Sequence, residues 1–216
     1  IVEKYIVQKI MMKKLLLLCF ISVITSTFAQ KNETYIKANA LFLPIGMLNV
    51  GVEHGFTEHI TGQADIFFSP WKSFAGHQAQ FGIATVEGRY YFDQAFKHWY
   101  LGASLGFGVF NIQKWNYWKT DIYTTKEGEI TPYRHDQLYQ KGFSYMFGLT
   151  TGYQFQIGNR WNMDIFLGIG SQQGFYKGYV EYLPETQENR YDRVENWDKS
   201  GEIIPFKGGV MISYKL

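Results

Sequence analysis

The sequence predicts an all-β protein, an eight-stranded antiparallel up-and-down transmembrane β-barrel. From residue 35 to residue 216, apolar residues alternate with small, polar or charged ones, which is the period of a strand whose two faces meet different surroundings. A helical period is not sustained in any segment. Along the chain, short connections between these segments alternate with long ones, as they do in barrels of the outer membrane.

The N-terminal part of the chain has the layout of a targeting segment. A short basic stretch precedes an apolar run of about ten residues, and a pair of small residues marks a cleavage position that ends at Ala29. We predict a secretory signal peptide over residues 11–29, an upstream extension over residues 1–10 and one barrel domain over residues 30–216. The single cysteine lies in the apolar run, so the exported chain would carry no disulfide.

Strands one to four carry charged or amide side chains on their polar parity. The first strand has Lys37 and Asn39 there, the third has Asp65, and the fourth has Glu87 and Arg89. Their other parity holds aliphatic and aromatic residues, which suit a strand with one buried face. We predict these strands at 35–43, 47–56, 60–69 and 79–92.

The fifth strand, HWYLGASLGFGVFNI at 98–112, shows the alternation most clearly. Trp99, Leu101 and Leu105 belong to its apolar parity, whereas the other parity includes three glycines and a serine, which have almost no side chain. Each glycine costs roughly 1 kcal/mol relative to alanine in a helix, so several in one segment argue for a strand. This strand would have one apolar face and one nearly bare face.

Three further strands and the connections complete the predicted meander. The last strands are predicted at 142–156, 161–175 and 202–216. Short connections on one end and long polar ones on the other would place both termini of the barrel at the short-turn end. The short ones are 57–59, 93–97 and 157–160, and the long ones are 70–78, 113–141 and 176–201. The first connection on the long-loop side, 44–46, is an exception because it is brief.

The polar parity of the strands should face the inside. Eight strands close a barrel just wide enough to be filled by side chains, so the apolar parity, with Leu101, Leu105 and Ile165, should face lipid. We expect Arg89 to lie at the centre of a lumen polar network and to bridge Glu53, Glu87 or Asp65, because its fork can hold two carboxylates. This network is either a structural core that fixes register or a gated ion path. Its predicted members are Lys37, Asn39, Glu53, Asp65, Glu87, Arg89, Asp164 and Lys207.

Aromatic residues recur at both ends of successive strands, as in the aromatic belts of membrane proteins. Trp99 and Trp161 lie toward the short-turn end, and Phe68, Tyr145 and Phe206 lie toward the other. A soluble sandwich with ordinary core aromatics is the alternative interpretation of these residues.

The long loops are rich in tyrosine and tryptophan. Such side chains provide adhesive contact area at a low cost in conformational entropy. The loops therefore form either an interaction surface for a surface protein or glycan, or solvated extensions of the barrel. The predicted surface residues are Trp115, Tyr117, Trp118, Tyr123, Tyr133, Tyr176, Tyr179 and Tyr182.

The chain resembles a family of small exported Gram-negative proteins of unknown function that are predicted to be OmpA-like transmembrane barrels of the outer membrane. The resemblance is carried by Lys37-Ala38-Asn39, by the segments NVGVE at 49–53 and EGRYY at 87–91, and by the final strand GGVMISYKL. That strand is similar to the terminal segment by which barrels are recognised for insertion, although it ends in Leu216 rather than Phe or Trp. The resemblance implies the fold and the outer membrane as the location, and it says nothing about catalysis.

No catalytic, cofactor-binding or metal-binding residue is predicted. The histidines do not occur in a metal-ligand spacing. A net charge of +2 does not indicate the basic surface that nucleic-acid binding requires. Two other functions stay open. A lipid acyl hydrolase could assemble a triad from loop residues such as His77 with Ser73, or His135 with Asp136. A secreted carrier, similar to a lipocalin, could hold an apolar ligand. The expected partners of a monomeric barrel are membrane lipid and lipopolysaccharide.

Overall fold

The computed structural model describes residues 33–216 except for 115–116, 126–127 and 192–195. The predicted upstream extension and signal peptide, and Trp115 of the predicted loop surface, lie outside the described residues. Among the described residues, no helix is long and apolar enough to cross a membrane.

The described chain is all-β and its strands pair antiparallel, as the sequence predicts. Eight strands form one closed barrel in the order β1-β10-β9-β8-β5-β4-β3-β2, and β6 with β7 forms a separate two-stranded hairpin. The first strand of the ring therefore pairs with the last. The strands are β1 Thr34–Asn39, β2 Leu48–Gly55, β3 Ile60–Phe74, β4 His77–Tyr91, β5 His98–Ile112, β6 Ile122–Thr124, β7 Ile130–Arg134, β8 Leu138–Gln156, β9 Trp161–Val180 and β10 Asp198–Lys215.

The strands on the long-loop side extend further than the sequence predicts. The predicted loop 70–78 is mostly strand, because β3 and β4 continue to a two-residue turn at Ala75 and Gly76, both with positive φ. The ladder between β8 and β9 likewise continues to the pair Leu138–Val180. The prediction of a long connection over 70–78 between β3 and β4 was therefore wrong, and these strands extend the barrel instead.

A β-bulge in β10 changes the direction of its side chains. The register with β9 shifts between Pro205 and Lys207, so Phe206 is an extra residue in its strand. Its ring lies against Gly148, where a Cβ would have no room. The expectation that Phe206 belongs to the outer aromatic belt was wrong, since a bulge moves a side chain to the other face.

The outer surface of the ring is apolar and its interior is polar. Leu101, Leu105 and Ile165 are 54%, 60% and 50% exposed, whereas Glu53 and Arg89 are 0% and 1% exposed. Arginine and glutamate are almost never buried to this degree unless they are paired. The alternation in the sequence thus corresponds to an apolar outside and a charged inside.

The bare face of β5 and its neighbour β8 makes room for large side chains of other strands. A Cβ on Gly102 would lie 2.8 Å from Oε1 of Glu87, and a Cβ on Gly152 would lie 2.5 Å from the Tyr100 hydroxyl. Any larger residue at these two positions would displace those groups. Glycine is therefore required here by close approach of side chains.

Aromatic side chains close the short-turn end of the interior. Phe96, in the turn between β4 and β5, is buried, and its ring centroid lies 4.5 Å from that of Tyr35. The Asn162 side chain donates a hydrogen bond to the Phe96 carbonyl at 3.3 Å. This bond holds the turn across the short-turn end of the barrel. Tyr91 and Tyr100 pack directly above, with ring centroids 5.1 Å apart.

Candidate functional site

Arg89 lies at the centre of a group of charged side chains inside the ring. Its Nε donates to Oε1 of Glu87 at 2.6 Å, and its Nη1 donates to Oδ2 of Asp164 at 2.9 Å and to Oε2 of Glu53 at 3.3 Å. Its Cζ lies 4.4 Å from the centroid of the Tyr100 ring, a cation–π geometry. One guanidinium thus joins three carboxylates that come from β2, β4 and β9.

Lys37 of β1 completes the link between two of these carboxylates. Its Nζ lies 2.7 Å from Oε2 of Glu53 and 2.7 Å from Oδ2 of Asp164. All three side chains are fully buried. Because Arg89 contacts the same two oxygens, Glu53 and Asp164 are each held by two cations.

Lys207 of β10 holds a second pair of carboxylates toward the long-loop side. Its Nζ lies 2.7 Å from Oδ1 of Asp65 and 2.9 Å from Oε2 of Glu87. Glu87 is therefore shared between Lys207 and Arg89 and connects the two halves of the network. Asp65 pairs with Lys207, whereas the sequence had offered it as a partner of Arg89. We call these groups the lumen network: Lys37, Glu53, Asp65, Glu87, Arg89, Asp164 and Lys207.

The lumen network contains three cations and four carboxylates, and neutral donors supply the remaining hydrogen bonds. Thr61 and Tyr91 donate their hydroxyls to Oε1 of Glu53 at 2.6 and 2.8 Å. The Tyr100 hydroxyl donates to Oδ1 of Asp164 at 3.0 Å. Burying a charge raises the free energy of the folded state unless the charge is paired and hydrogen-bonded. These neutral donors therefore help to stabilise the one carboxylate in excess over the cations. Thr150 donates to Glu87, and Gln63 donates to Asp65.

Asn39, the eighth residue predicted for the interior, lies apart from the ions. Its side-chain nitrogen donates to Oδ1 of Asn49 at 3.1 Å and to the Gly208 carbonyl at 3.2 Å. Its Oδ1 accepts from the Val210 amide at 3.3 Å. Asn39 thus holds the part of β10 that follows the bulge, where Gly209 has a φ of +144°.

Several members of the site do not figure in the sequence-based prediction. Tyr91 and Tyr100 were not assigned to the interior, although Tyr91 shares the parity of Arg89 and Tyr100 shares that of Gly102. Parity alone could have found both. Phe96 could not have been found in this way, because it lies in a turn and its position depends on how the turn folds.

The loop histidines contact neighbours other than the proposed triad residues. Nδ1 of His77 lies 2.6 Å from Oε1 of Gln113, and its ring stacks on Trp118. The Asp136 carboxylate accepts two hydrogen bonds from Arg134, at 2.9 and 2.7 Å, rather than facing His135. Within the described ranges, no group of three or more His, Cys, Asp or Glu side chains could hold a metal ion.

Part of the predicted loop surface folds inward. Tyr123 and Tyr191 are buried with Leu138 and Val180 above the ring, and we call these four residues the mouth cluster. Tyr117 and Tyr133 pack against it, and Tyr176 is also buried. Of the predicted surface residues within the described chain, Trp118 and Tyr182 are the exposed ones, and Tyr179 is partly buried.

The mouth cluster closes the long-loop end. The Tyr191 hydroxyl accepts a hydrogen bond from the Gln140 side chain at 3.0 Å, and burial raises the pKa of Tyr191 well above its ordinary value. Nη2 of Arg190 lies 3.3 Å from Oδ2 of Asp198, and both side chains are buried. The interior is therefore covered at one end by Phe96 and at the other by this cluster.

Comparison with known proteins identifies the family and nothing more detailed. No curated protein and no solved structure matches the chain. A family model described as "Protein of unknown function (DUF3575)" matches residues 15–216, which include every strand of the ring. A match over most of the chain defines membership, so this protein belongs to the DUF3575 family.

Proposed function

We propose that this chain is a β-barrel protein of the Gram-negative outer membrane and that it crosses the membrane with the eight ring strands. The observation that carries the proposal is the apolar outer surface around a charged interior. Leu105, Leu149 and Leu167 are each 60% exposed on three different strands. Hydrocarbon is the solvent that makes such a surface favourable, and a closed barrel satisfies every backbone hydrogen bond within it.

The closed interior supports a structural role for the lumen network, with the gated ion path as the weaker interpretation. Every ion of the network has a partner at hydrogen-bond distance, and opening a path would leave several charges uncompensated. A carrier of an apolar ligand would need apolar side chains where Glu53 and Arg89 lie. The described geometry thus favours a barrel whose filled lumen contributes stability.

Such a protein would bind its partners at the long-loop end. Trp118 and Tyr182 remain exposed there, and the β6–β7 hairpin adds the exposed Ile122 and Ile130. Exposed apolar side chains rimmed by polar residues are typical of interaction sites. We propose a non-enzymatic envelope protein that contacts a surface protein or glycan through these side chains.

Cell fractionation tests the membrane part of the proposal. The expected result is that the mature chain is recovered with the outer membrane after an alkaline wash and migrates faster on a gel when it has not been boiled. Folded barrels show this heat-dependent migration because their closed sheet resists the detergent. Recovery from the soluble periplasmic or secreted fraction would contradict the proposal and favour the carrier.

Planar-bilayer recording tests the closed lumen separately. The purified, folded protein should insert without producing conductance steps. Regular steps in the wild-type protein, absent from a boiled sample, would instead support the gated ion path.

A further inference from the structure

Three lysines face outward on adjacent strands at the long-loop side of the ring. Lys141 of β8 lies directly opposite Lys177 of β9 in the ladder, and Lys199 of β10 lies opposite Phe175, two residues before Lys177. Their strand neighbours Gln140, Tyr176 and Asp198 are buried in the interior, so the lysines belong to the outer parity. We call Lys141, Lys177 and Lys199 the basic patch.

The described part of the chain compensates the charges of the basic patch poorly. Like charges directly opposite each other on one sheet face destabilise the pairing of the strands. Lys141 has a partner in Glu185, at 2.7 Å, but both side chains are about half exposed. Lys177 lies over the Trp197 ring, with its Nζ 4.8 Å from the centroid, a contact that leaves its charge in place. Within the described part of the chain, Lys177 and Lys199 have no carboxylate partner.

An aromatic band lies next to the basic patch, and its two phenylalanines are one outward-facing position nearer the middle of β8 and β9 than Lys141 and Lys177. Phe143 and Phe175 are cross-strand partners, and their rings stack with centroids 5.3 Å apart. The Trp197 ring packs edge-on against Phe143 at 5.4 Å. Aromatic rings of this kind collect at the depth of the lipid headgroups in membrane proteins. Lys141 and Lys177, two residues further along their strands, would then reach the outer part of the headgroup layer, and Lys199, opposite Phe175, lies level with the rings.

From this arrangement we infer that the basic patch binds the phosphate of an anionic lipid headgroup in the leaflet on the long-loop side. The inference rests on the proposed membrane insertion and adds a specific lipid contact to it. A phosphate oxygen between two opposed ammonium groups removes their repulsion, and the aromatic band packs against the upper part of the acyl chains. Glu185 competes with the phosphate for Lys141.

Lipid retention tests the inference. The folded protein is placed in nanodiscs of phosphatidylcholine with a minor fraction of phosphatidic acid, and the retained lipids are identified by mass spectrometry after transfer to a neutral detergent. The triple variant Lys141→Gln, Lys177→Gln, Lys199→Gln should retain at least about tenfold less phosphatidic acid than the wild type, because each lysine near an anionic surface adds to the attraction. Glu185→Gln should retain more than the wild type.

A matched control carries the same change in net charge elsewhere. Lys72→Gln, Lys97→Gln and Lys119→Gln replace three other exposed lysines and should leave retention unchanged. Equal retention by the two triple variants, or no preference of the wild type for phosphatidic acid over phosphatidylcholine, would overturn the inference while the barrel remains inserted. Failure of the wild type to insert into these nanodiscs would instead count against the proposed function.

Discussion

The ammonium group of Lys37 lies 2.7 Å from the carboxylate of Asp164, although the two residues are 127 positions apart in the sequence. Lys37 belongs to β1 and Asp164 to β9, which are separated in the ring by β10. The ion pair therefore passes β10 on the inner side of the barrel. It ties the shortest strand of the ring to a part of the sheet with which it shares no ladder.

Lys37→Met should destabilise the folded barrel by about 3–5 kcal/mol. The substitution removes one partner of two buried carboxylates, Glu53 and Asp164, and an uncompensated buried charge is strongly unfavourable. Reversible urea unfolding in lipid vesicles, followed by tryptophan fluorescence, measures the free energy of unfolding. The control Lys97→Met changes an exposed lysine at the short-turn end and should cost less than about 1 kcal/mol. Equal effects of the two changes would contradict the structural role of the network.

Leu105→Arg should cost about 2–4 kcal/mol, because this side chain points outward near the middle of β5, where the proposal places hydrocarbon. The matched change Ile130→Arg lies on the β6–β7 hairpin, where the side chain is 80% exposed, and should be nearly neutral. The same unfolding measurement in vesicles compares the two variants. If Leu105→Arg is as neutral as Ile130→Arg, the outer face of the ring contacts water and the membrane proposal fails.

Gly152→Ala should destabilise the protein by about 1–3 kcal/mol, since its new methyl group would meet the Tyr100 hydroxyl. Displacing Tyr100 would also weaken its hydrogen bond to Asp164. Gly88→Ala is the matched control, because a Cβ at Gly88 meets no atom within 4 Å. Thermal unfolding of the two variants should place Gly152→Ala clearly below the wild type and Gly88→Ala at or slightly above it.

The loop that follows β9 should loosen at acidic pH. Hydrogen bonds from Lys141 and Tyr139 hold the pKa of Glu185 below its usual range. A carboxyl group whose pKa is depressed by folding stabilises the folded loop above its ordinary pKa, and this contribution disappears as the pH falls through the depressed value.

Hydrogen exchange of the amides in residues 181–190, corrected for the intrinsic effect of pH, measures this loosening. Protection should decrease with acidification in the wild type and stay constant in Glu185→Gln. Glu202→Gln, which changes an exposed carboxylate with a longer contact to Lys114 of 3.6 Å, should behave as the wild type. A wild-type protection that does not change with pH would argue against a role for Glu185 in this loop.

Local alternation accounts for much of the fold and of the candidate site. It is sufficient to put Glu87 and Arg89 on the face opposite to Leu105, and β5 begins and ends where the alternation does. It could not identify Asp164 as a partner of Arg89, because that distance depends on the tilt and stagger of strands far apart in the sequence. The alternation also did not predict the bulge at Phe206 or the hairpin turn at Ala75 and Gly76, because each depends on a local backbone conformation that the pattern does not encode.

The seam of the ring, where β1 meets β10, has a topological consequence. The Leu216 amide donates to the Thr34 carbonyl at 3.0 Å, so positions 34 and 216 lie side by side. A circular permutant with these positions joined by a brief linker and the polypeptide opened in the turn at 157–160 would retain every rung of the sheet. Its outermost strands in the gene would be β9 and β8. Because the ring is closed, its backbone pairing does not single out a first or a last strand. The order in which the strands are translated therefore decides which two strands pair last when the barrel closes.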